Sequence, residues 1–222
     1  MGQKIIGHFT RDQRRFLTAF LEHPETLAPF YLTGGTALVA YHFNHRLSED
    51  IDLFSPQKLN EQHIHATMQA IMKKIHCTSS YQHVFDRITY MLTFPSQTML
   101  KVDFVFYDFK QLEKPQFRDG IFVDSIEDIS VNKLLTMSQR TASKDYVDLY
   151  FILKKKYTVW DLQHGVEHKF KMEIEPFYLS SLFAKVSELT DLPIMKKTLT
   201  LDQLKQFFLM EAKRLASTMV KP

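Results

Sequence analysis

The sequence is poor in the features that would set it apart from ordinary globular proteins. It has one cysteine, Cys77, in 222 residues, so no disulfide can close within the chain and a reducing compartment is expected. Glycine is scarce, at 6 residues, and there are no internal repeats, low-complexity tracts or Gly/Ser linkers. That excludes collagen-like and linker-dominated chains. Long hydrophobic runs are missing too. The longest uncharged stretch, residues 26–45, is broken by Pro29, Gly34, Gly35 and Asn44, unlike a membrane span. The opening MGQKIIGHFTRDQ lacks the apolar run of a signal peptide. Ile6 stands where N-myristoylation wants Ser or Thr. These absences lead us to expect a cytoplasmic protein with no membrane partner. An excess of one charge is also lacking, since 28 Lys/Arg face 25 Asp/Glu. The surplus lies in residues 153–222, with 12 basic against 8 acidic residues, or +4. That balance permits a polyanionic partner without demanding one. What the chain does have is 45% hydrophobic residues and 19 Phe, enough to fill a real core.

The first half alternates helix and strand signals. Phe16, Leu17, Phe20 and Leu21 are spaced for a helix over 11–22. FYLT (30–33) reads as a short strand that meets Gly34 and Gly35, after which TALVAYHF reads as a helix. DIDLF (50–54) alternates acidic and apolar residues, a strand period. Residues 59–75 read as a helix. The strands at 87–94 and 99–108, with Pro95, Ser96 and Gln97 between them, read as a hairpin. The second half reads as helices, at VNKLLTMSQR after a Ser125/Asp128 capping signal and then at 143–155, 158–170, 176–189 and 200–216. Thr158 and Thr200 are the expected N-caps. A mixed α/β half is thus followed by a helical half, with a boundary near 120–125.

The most informative segment is Ser48-Glu49-Asp50-Ile51-Asp52-Leu53-Phe54. Residues i and i+2 of a strand share a face, so Asp50 and Asp52 present two carboxylates together while Ile51 and Leu53 face apolar packing. Paired carboxylates repel unless a cation neutralises them. Mg²⁺ suits them, because it takes oxygen ligands and commonly binds one or two carboxylates plus substrate phosphates. Asp103, in the apolar strand KVDFVF, is a costly residue to bury alone. Beside Asp50 and Asp52 it would complete a three-carboxylate site for Mg²⁺ and in-line phosphoryl displacement. Upstream, Thr33-Gly34-Gly35-Thr36 forms a glycine turn opening a helix, where backbone N–H groups can meet phosphate and Thr36 adds a hydroxyl. Singly, each feature is equally at home on an exposed strand face or in an ordinary turn. It is their succession that points to a nucleotide site.

This succession resembles the AbiEii-type nucleotidyltransferases of the DNA polymerase β-like superfamily. The stretch TGGTALVAYHFNHRLSEDIDLF matches a helix-opening G-[GS]-[ST] followed by D-x-D, with 13 residues between Thr36 and Asp50. Thr36 replaces the commoner serine, and Arg46 and Ser48 also match. Asp103 corresponds to the third acid, Lys133 to a helix lysine, and Lys144, Asp145 and Asp148 to a later K-D-x-x-D-L motif. The resemblance implies an α+β fold, with a nucleotidyltransferase-like mixed sheet and flanking helices at 1–123 and a helical domain at 124–222. It implies Mg²⁺-dependent transfer of a nucleoside monophosphate from an NTP, in a toxin of a toxin–antitoxin or phage-defence system. The implied partners are an RNA acceptor, tRNA included, and a cognate antitoxin.

By the same resemblance, Asp50, Asp52 and Asp103 are the catalytic and metal-binding acids. Gly34, Gly35, Thr36, Ser48, Lys133, Lys144 and Asp148 are the nucleotide-binding set. Gly35 and Thr36 would meet phosphate oxygens and Lys133 would supply positive charge. Asp148 would face the nucleotide or support its site, although Lys144 and Asp148 also have the spacing of a surface ion pair. If the acceptor is RNA, Lys154, Lys155, Lys156, Lys169 and Lys171 are the candidate contacts. Two rivals remain. One is a non-catalytic nucleotide-binding or interaction module on the same fold. The other is a zinc hydrolase, suggested by His164-Gly165-Val166-Glu167-His168, which matches H-x-x-E-H. Gly165 and the short remaining chain argue against the second.

Overall fold

The structure, a computed structural model, describes residues 5–217. These divide into two compact units. The first takes the described residues up to His42, together with Ser48–Lys110 and Lys114–Ser125. The second takes Phe43–Leu47, Gln111–Glu113 and the described residues from Ile126 onward.

The first unit is built on a seven-stranded mixed sheet. In chain order it contains α1 (Arg11–Phe20), α2 (Pro24–Leu27), β1 (Tyr31–Thr33) and α3 (Gly34–Leu38), which runs on as a π-turn into the second unit. Then come β2 (Ile51–Ser55), α4 (Glu61–Ile75), β3 (Thr78–Val84), β4 (Arg87–Thr93), β5 (Met99–Phe106), β6 (Gln116–Arg118) and β7 (Ile121–Val123). The strand order is β3-β4-β5-β2-β1-β7-β6. β2 lies parallel to β5 and antiparallel to β1, and β1 lies parallel to β7. One sheet face is apolar: Leu32, Ile51, Leu53, Ile88, Tyr90 and Phe104 are all buried. α1 covers it through Phe20, whose ring lies 5.9 Å from that of Phe104; α4 buries Ile64, Met68 and Ile71, and its exposed His65 bonds the Tyr90 hydroxyl at 3.0 Å. Burying a side chain of this size contributes about 1.5–3 kcal/mol. α1 starts at a capping box between Thr10 and Gln13, and α4 at Asn60, whose side chain accepts the His63 N–H.

The second unit is helical, with α5 (Ile126–Thr136), α6 (Ser143–Lys155), α7 (Val159–Phe170), α8 (Pro176–Ala184) and α9 (Leu201–Ser217). The expected caps are present. Thr158 forms a capping box with Asp161, and Thr200 exchanges hydrogen bonds with Gln203. Phe43–Leu47 joins this unit through backbone bonds to the segment before α9, with Leu47 N–H donating to Ile194 and Lys196 N–H to His45. Asp128 is fully buried. Its carboxylate accepts the Leu112 and Glu113 N–H groups and pairs with Lys169 Nζ at 2.6 Å.

Three strands have no counterpart in the periodicity of the sequence. β3 is an edge strand of mostly exposed residues, so it carries no apolar alternation. β6 and β7 are three residues each, too short for a period to register.

Candidate active site

Strand register assembles the acids. Thr33 of β1 pairs with Asp52 of β2, Asp52 with Asp103 of β5, and Asp103 with Thr89 of β4. Neighbouring strands lie about 4.8 Å apart, so the Asp52 and Asp103 side chains rise side by side from the face opposite the apolar one. Asp103 is 1% exposed. Its Oδ1 accepts from the Thr89 hydroxyl at 2.7 Å, and its Oδ2 meets Lys101 Nζ at 2.6 Å and Arg87 Nη1 at 3.0 Å. Both cations project from positions two residues along β4 and β5. Asp52 and Asp50 are partly exposed, and Asp50 sits just before β2 starts.

The glycine turn is shaped around Asp52. Gly34 has φ +70°, and a Cβ placed there would lie 2.3 Å from Asp52 Oδ2. Backbone handedness and close approach therefore both require glycine. Thr36 and Ser48 act on the acidic segment from within. Thr36 is buried, and its hydroxyl donates to the Asp50 carbonyl and lies 3.0 Å from Ser48 Oγ. Gln13 Nε2 donates to the Ser48 and Asp50 carbonyls at 2.9 and 3.1 Å. The backbone leading into Asp50 is thus fastened to α1 and α3.

Gly34→Ala is expected to destabilise the protein by about 1–2 kcal/mol through the left-handed backbone alone. It should cost activity more heavily, by roughly 10²-fold, because the Asp52 carboxylate must swing away from its seat. Thermal melts run beside a transfer assay separate the two effects. A variant with wild-type activity would remove the turn from the site.

The sequence offered Asp50, Asp52 and Asp103 as one metal-binding set. Among the described residues no group of three or more His, Cys, Asp or Glu side chains is disposed to hold a metal ion. Lys101, Arg87 and Thr89 take up the Asp103 oxygens. The donors Asp50 and Asp52 fit Mg²⁺ in kind, being hard oxygen ligands. Sequence reasoning missed Arg87, Lys101 and Asp124. Asp124 is 2% exposed, follows β7 and accepts the Thr33 hydroxyl at 2.7 Å. An acid ending the apolar IFV strand was the signal available for it.

Lys133 and Asp148 belong to the second unit, where they form one buried network. Asp148 is fully buried; it meets Arg46 Nε and Nη2 at 2.7 Å each, Lys133 Nζ at 2.7 Å and His45 Nε2 at 2.8 Å. Lys133 also meets Asp145 at 2.8 Å, and Asp145 meets Arg140 at 2.7 Å. Burial opposes the charge of Asp148, but Lys133 and Arg46 outweigh it and hold its carboxyl well below the usual carboxylate range. Burial likewise works against a charged Lys133, and the fields of Asp148 and Asp145 reverse it, so the lysine is raised. His45 is lowered by burial despite the pull of Asp148. Its neutral ring donates Nε2–H to the carboxylate, while Nδ1 is buried with no hydrogen-bond partner. Lys144 sits half-buried at the start of α6. Full burial of Asp148 excludes the surface-pair reading.

The remaining candidates separate by exposure. His164 and His168 are exposed on α7, and Gly165 between them is buried, where a Cβ would lie 2.4 Å from Val131. Glycine there serves close packing of α7 on α5. Lys154, Lys155, Lys156 and Lys171 are exposed. Lys169, expected among the RNA contacts, is instead committed to Asp128, with its side chain 1% exposed.

Comparison with known proteins now bears on this geometry. The profile of the family described as "Nucleotidyl transferase AbiEii toxin, Type IV TA system" matches residues 15–218. An uncharacterized protein of Aquifex aeolicus (strain VF5), aq_aa25, is 31% identical over 140 residues, covering 60% of this chain. The match spans 61% of that relative's own length. Among solved structures, JHP933 from Helicobacter pylori superposes with a TM-score of 0.58 at 19% identity, covering 96% of this chain and 95% of its own. That likeness shows the fold. MenT4, a nucleotidyltransferase toxin from Mycobacterium tuberculosis H37Rv, gives a TM-score of 0.46 at 9% identity, covering 93% and 86% of the two chains. No described helix is long and apolar enough to cross a membrane.

Proposed function

The chain belongs to the AbiEii nucleotidyltransferase toxin family, and from that premise we propose that it transfers a nucleoside monophosphate from an NTP to an acceptor hydroxyl. The observation that carries this reading is the in-register pair Asp52 and Asp103, with Gly34 packed against the Asp52 carboxylate. In the reaction the acceptor oxygen forms a bond to the α-phosphorus, the bond to the β-phosphate bridging oxygen breaks, pyrophosphate leaves and the hydroxyl proton is released. Asp50 and Asp52 would hold Mg²⁺, which when bound neutralises phosphate charge. Asp103 would stand beside them, its carboxylate positioned by Thr89, Lys101 and Arg87. Arg87 and Lys101, which tie its carboxylate in place, add positive charge beside the phosphates. Backbone N–H groups at Gly34 and Gly35 would meet phosphate oxygens, and Thr36 and Ser48 hold Asp50 in position. Lys133 and Asp148, offered for the nucleotide by the family resemblance, are engaged with one another and with Asp145, Arg46 and His45 inside the second unit.

The finer reading is an intracellular toxin countered by an antitoxin, with RNA, tRNA included, as its acceptor. Support comes from the family and from the basic surplus after residue 152, reduced by the burial of Lys169.

An NTP should bind tightly only with a divalent cation, since a bare triphosphate worsens the repulsion between Asp50 and Asp52. Calorimetry with Mg²⁺ and with EDTA is the check. Equal affinity in both would sink the metal-bridged reading.

A further inference from the structure

The face of the sheet that carries the acids also carries aromatic rings with no part in the transfer step. Positions two apart on a strand share a face, so Tyr31 and Phe54 stand on the same face as Thr33 and Asp52. The register carries this row outward, pairing Phe54 with Tyr31, Tyr31 with Phe122 and Phe122 with Phe117. The Tyr107 ring lies 4.8 Å from Phe54, with Phe109 4.9 Å beyond it, and Phe117 lies 5.3 Å from Phe122. All of these belong to the first unit. The outer rings are not core: Phe109, Phe117 and Phe122 are 44%, 62% and 45% exposed.

Exposed rings in two groups, beginning about 7 Å along the strands from the carboxylates, suit planar ligands stacked one after another. A single NTP has one base, and two ring groups exceed what it can use. The segment joining the groups carries Lys110, Lys114 and Arg118 against Asp108, Glu113 and Asp119. Of these acids, Asp119 is turned to its own chain, accepting the Ile6 and Gly7 N–H groups and the Tyr41 hydroxyl. Flat apolar platforms beside positive charge are how proteins hold single strands without reading their sequence.

We propose that this aromatic row, Phe54, Tyr107, Phe109, Phe117 and Phe122, seats the unpaired bases of a single-stranded RNA end. It thereby brings the terminal hydroxyl of that RNA to Asp50, Asp52 and Asp103. The delivery of the hydroxyl rests on the transfer reading above, while the stacking does not.

Fluorescence anisotropy with short single-stranded RNA oligonucleotides tests it, on the full chain and on Phe117→Leu/Phe122→Leu. Leucine keeps apolar bulk at two exposed positions but removes the ring faces. RNA affinity should fall roughly tenfold or more, while the melting temperature and Mg²⁺–ATP affinity match wild type. Phe117→Tyr/Phe122→Tyr should bind RNA as wild type does. Unchanged RNA affinity in the leucine variant would overturn the proposal; that is the outcome if the patch instead docks a protein. So would a wild-type protein that binds no oligonucleotide, or an ATP affinity that falls in parallel. Ring-dependent RNA binding without any nucleotide transfer would uphold the stacking site and bring down the transfer reading alone.

Discussion

Asp52→Asn is expected to abolish nucleotidyl transfer and leave the fold standing. The substitution keeps the size of the side chain, so its seat against Gly34 and the backbone pairing of β2 with β1 and β5 persist. What it removes is one negative charge where a divalent cation would gather the triphosphate. Charge stabilisation by a bound metal contributes several kcal/mol to a phosphoryl-transfer barrier, so the rate should fall by about 10³-fold or more. In a bacterial host the same change should end any toxicity. A folded variant that retains full activity would take Asp52 out of the catalytic set.

The second large effect is on stability. Asp148→Asn should destabilise the second unit by about 3–5 kcal/mol, the usual cost of removing one partner from a buried ion pair. The carboxylate receives two bonds from Arg46 and one each from Lys133 and His45. An amide has one accepting oxygen and turns an NH₂ group toward donors. Urea denaturation measures the loss, and a change below about 1 kcal/mol would contradict a structural role for the network. The dependence on pH has a defined sign. The folded-state pKa of Asp148 is depressed, so its contribution is fully present above its unfolded value of about 3.9 and is lost only as pH falls through the folded value. As far as Asp148 is concerned, the gap between wild type and variant should stay level from neutral pH down to about 4 and close only in stronger acid.

How much of this could be read in the sequence follows from how local each feature is. Asp50, Asp52 and the Gly34-Gly35 turn lie within one short stretch, and strand parity alone puts Ile51 and Leu53 in the core. The β4–β5 hairpin was legible, yet not every partner of Asp103 was. Arg87 faces it only once the hairpin register is fixed by a turn whose length the sequence leaves open, whereas Lys101, two residues before it on β5, shares its face by parity. Asp148 shows the limit more sharply. Its nearest cation in sequence is Lys144, four residues away. Its carboxylate instead binds Arg46, 102 residues back, because Phe43–Leu47 leaves the first unit to join the second. Lys169 had the composition of a solvated helix lysine until Asp128 was placed opposite it. Thr36 reads as a phosphate-facing hydroxyl, but the chain passes Ser48 and Asp50 directly over it and its hydrogen bonds are spent there. Lys101 apart, the residue type was informative and the partner was set by a distant segment.

The central claim is that the acids at the Gly34 turn transfer a nucleoside monophosphate. Incubating the protein with Mg²⁺, total RNA and each NTP labelled either at the α- or at the γ-phosphate tests it most directly. The account predicts label on an acceptor from the α-position only, with pyrophosphate released and nothing transferred by Asp52→Asn. Transfer of the γ-label would identify a kinase-type reaction instead, and NTP binding without transfer of either label would reduce the protein to a nucleotide-binding module.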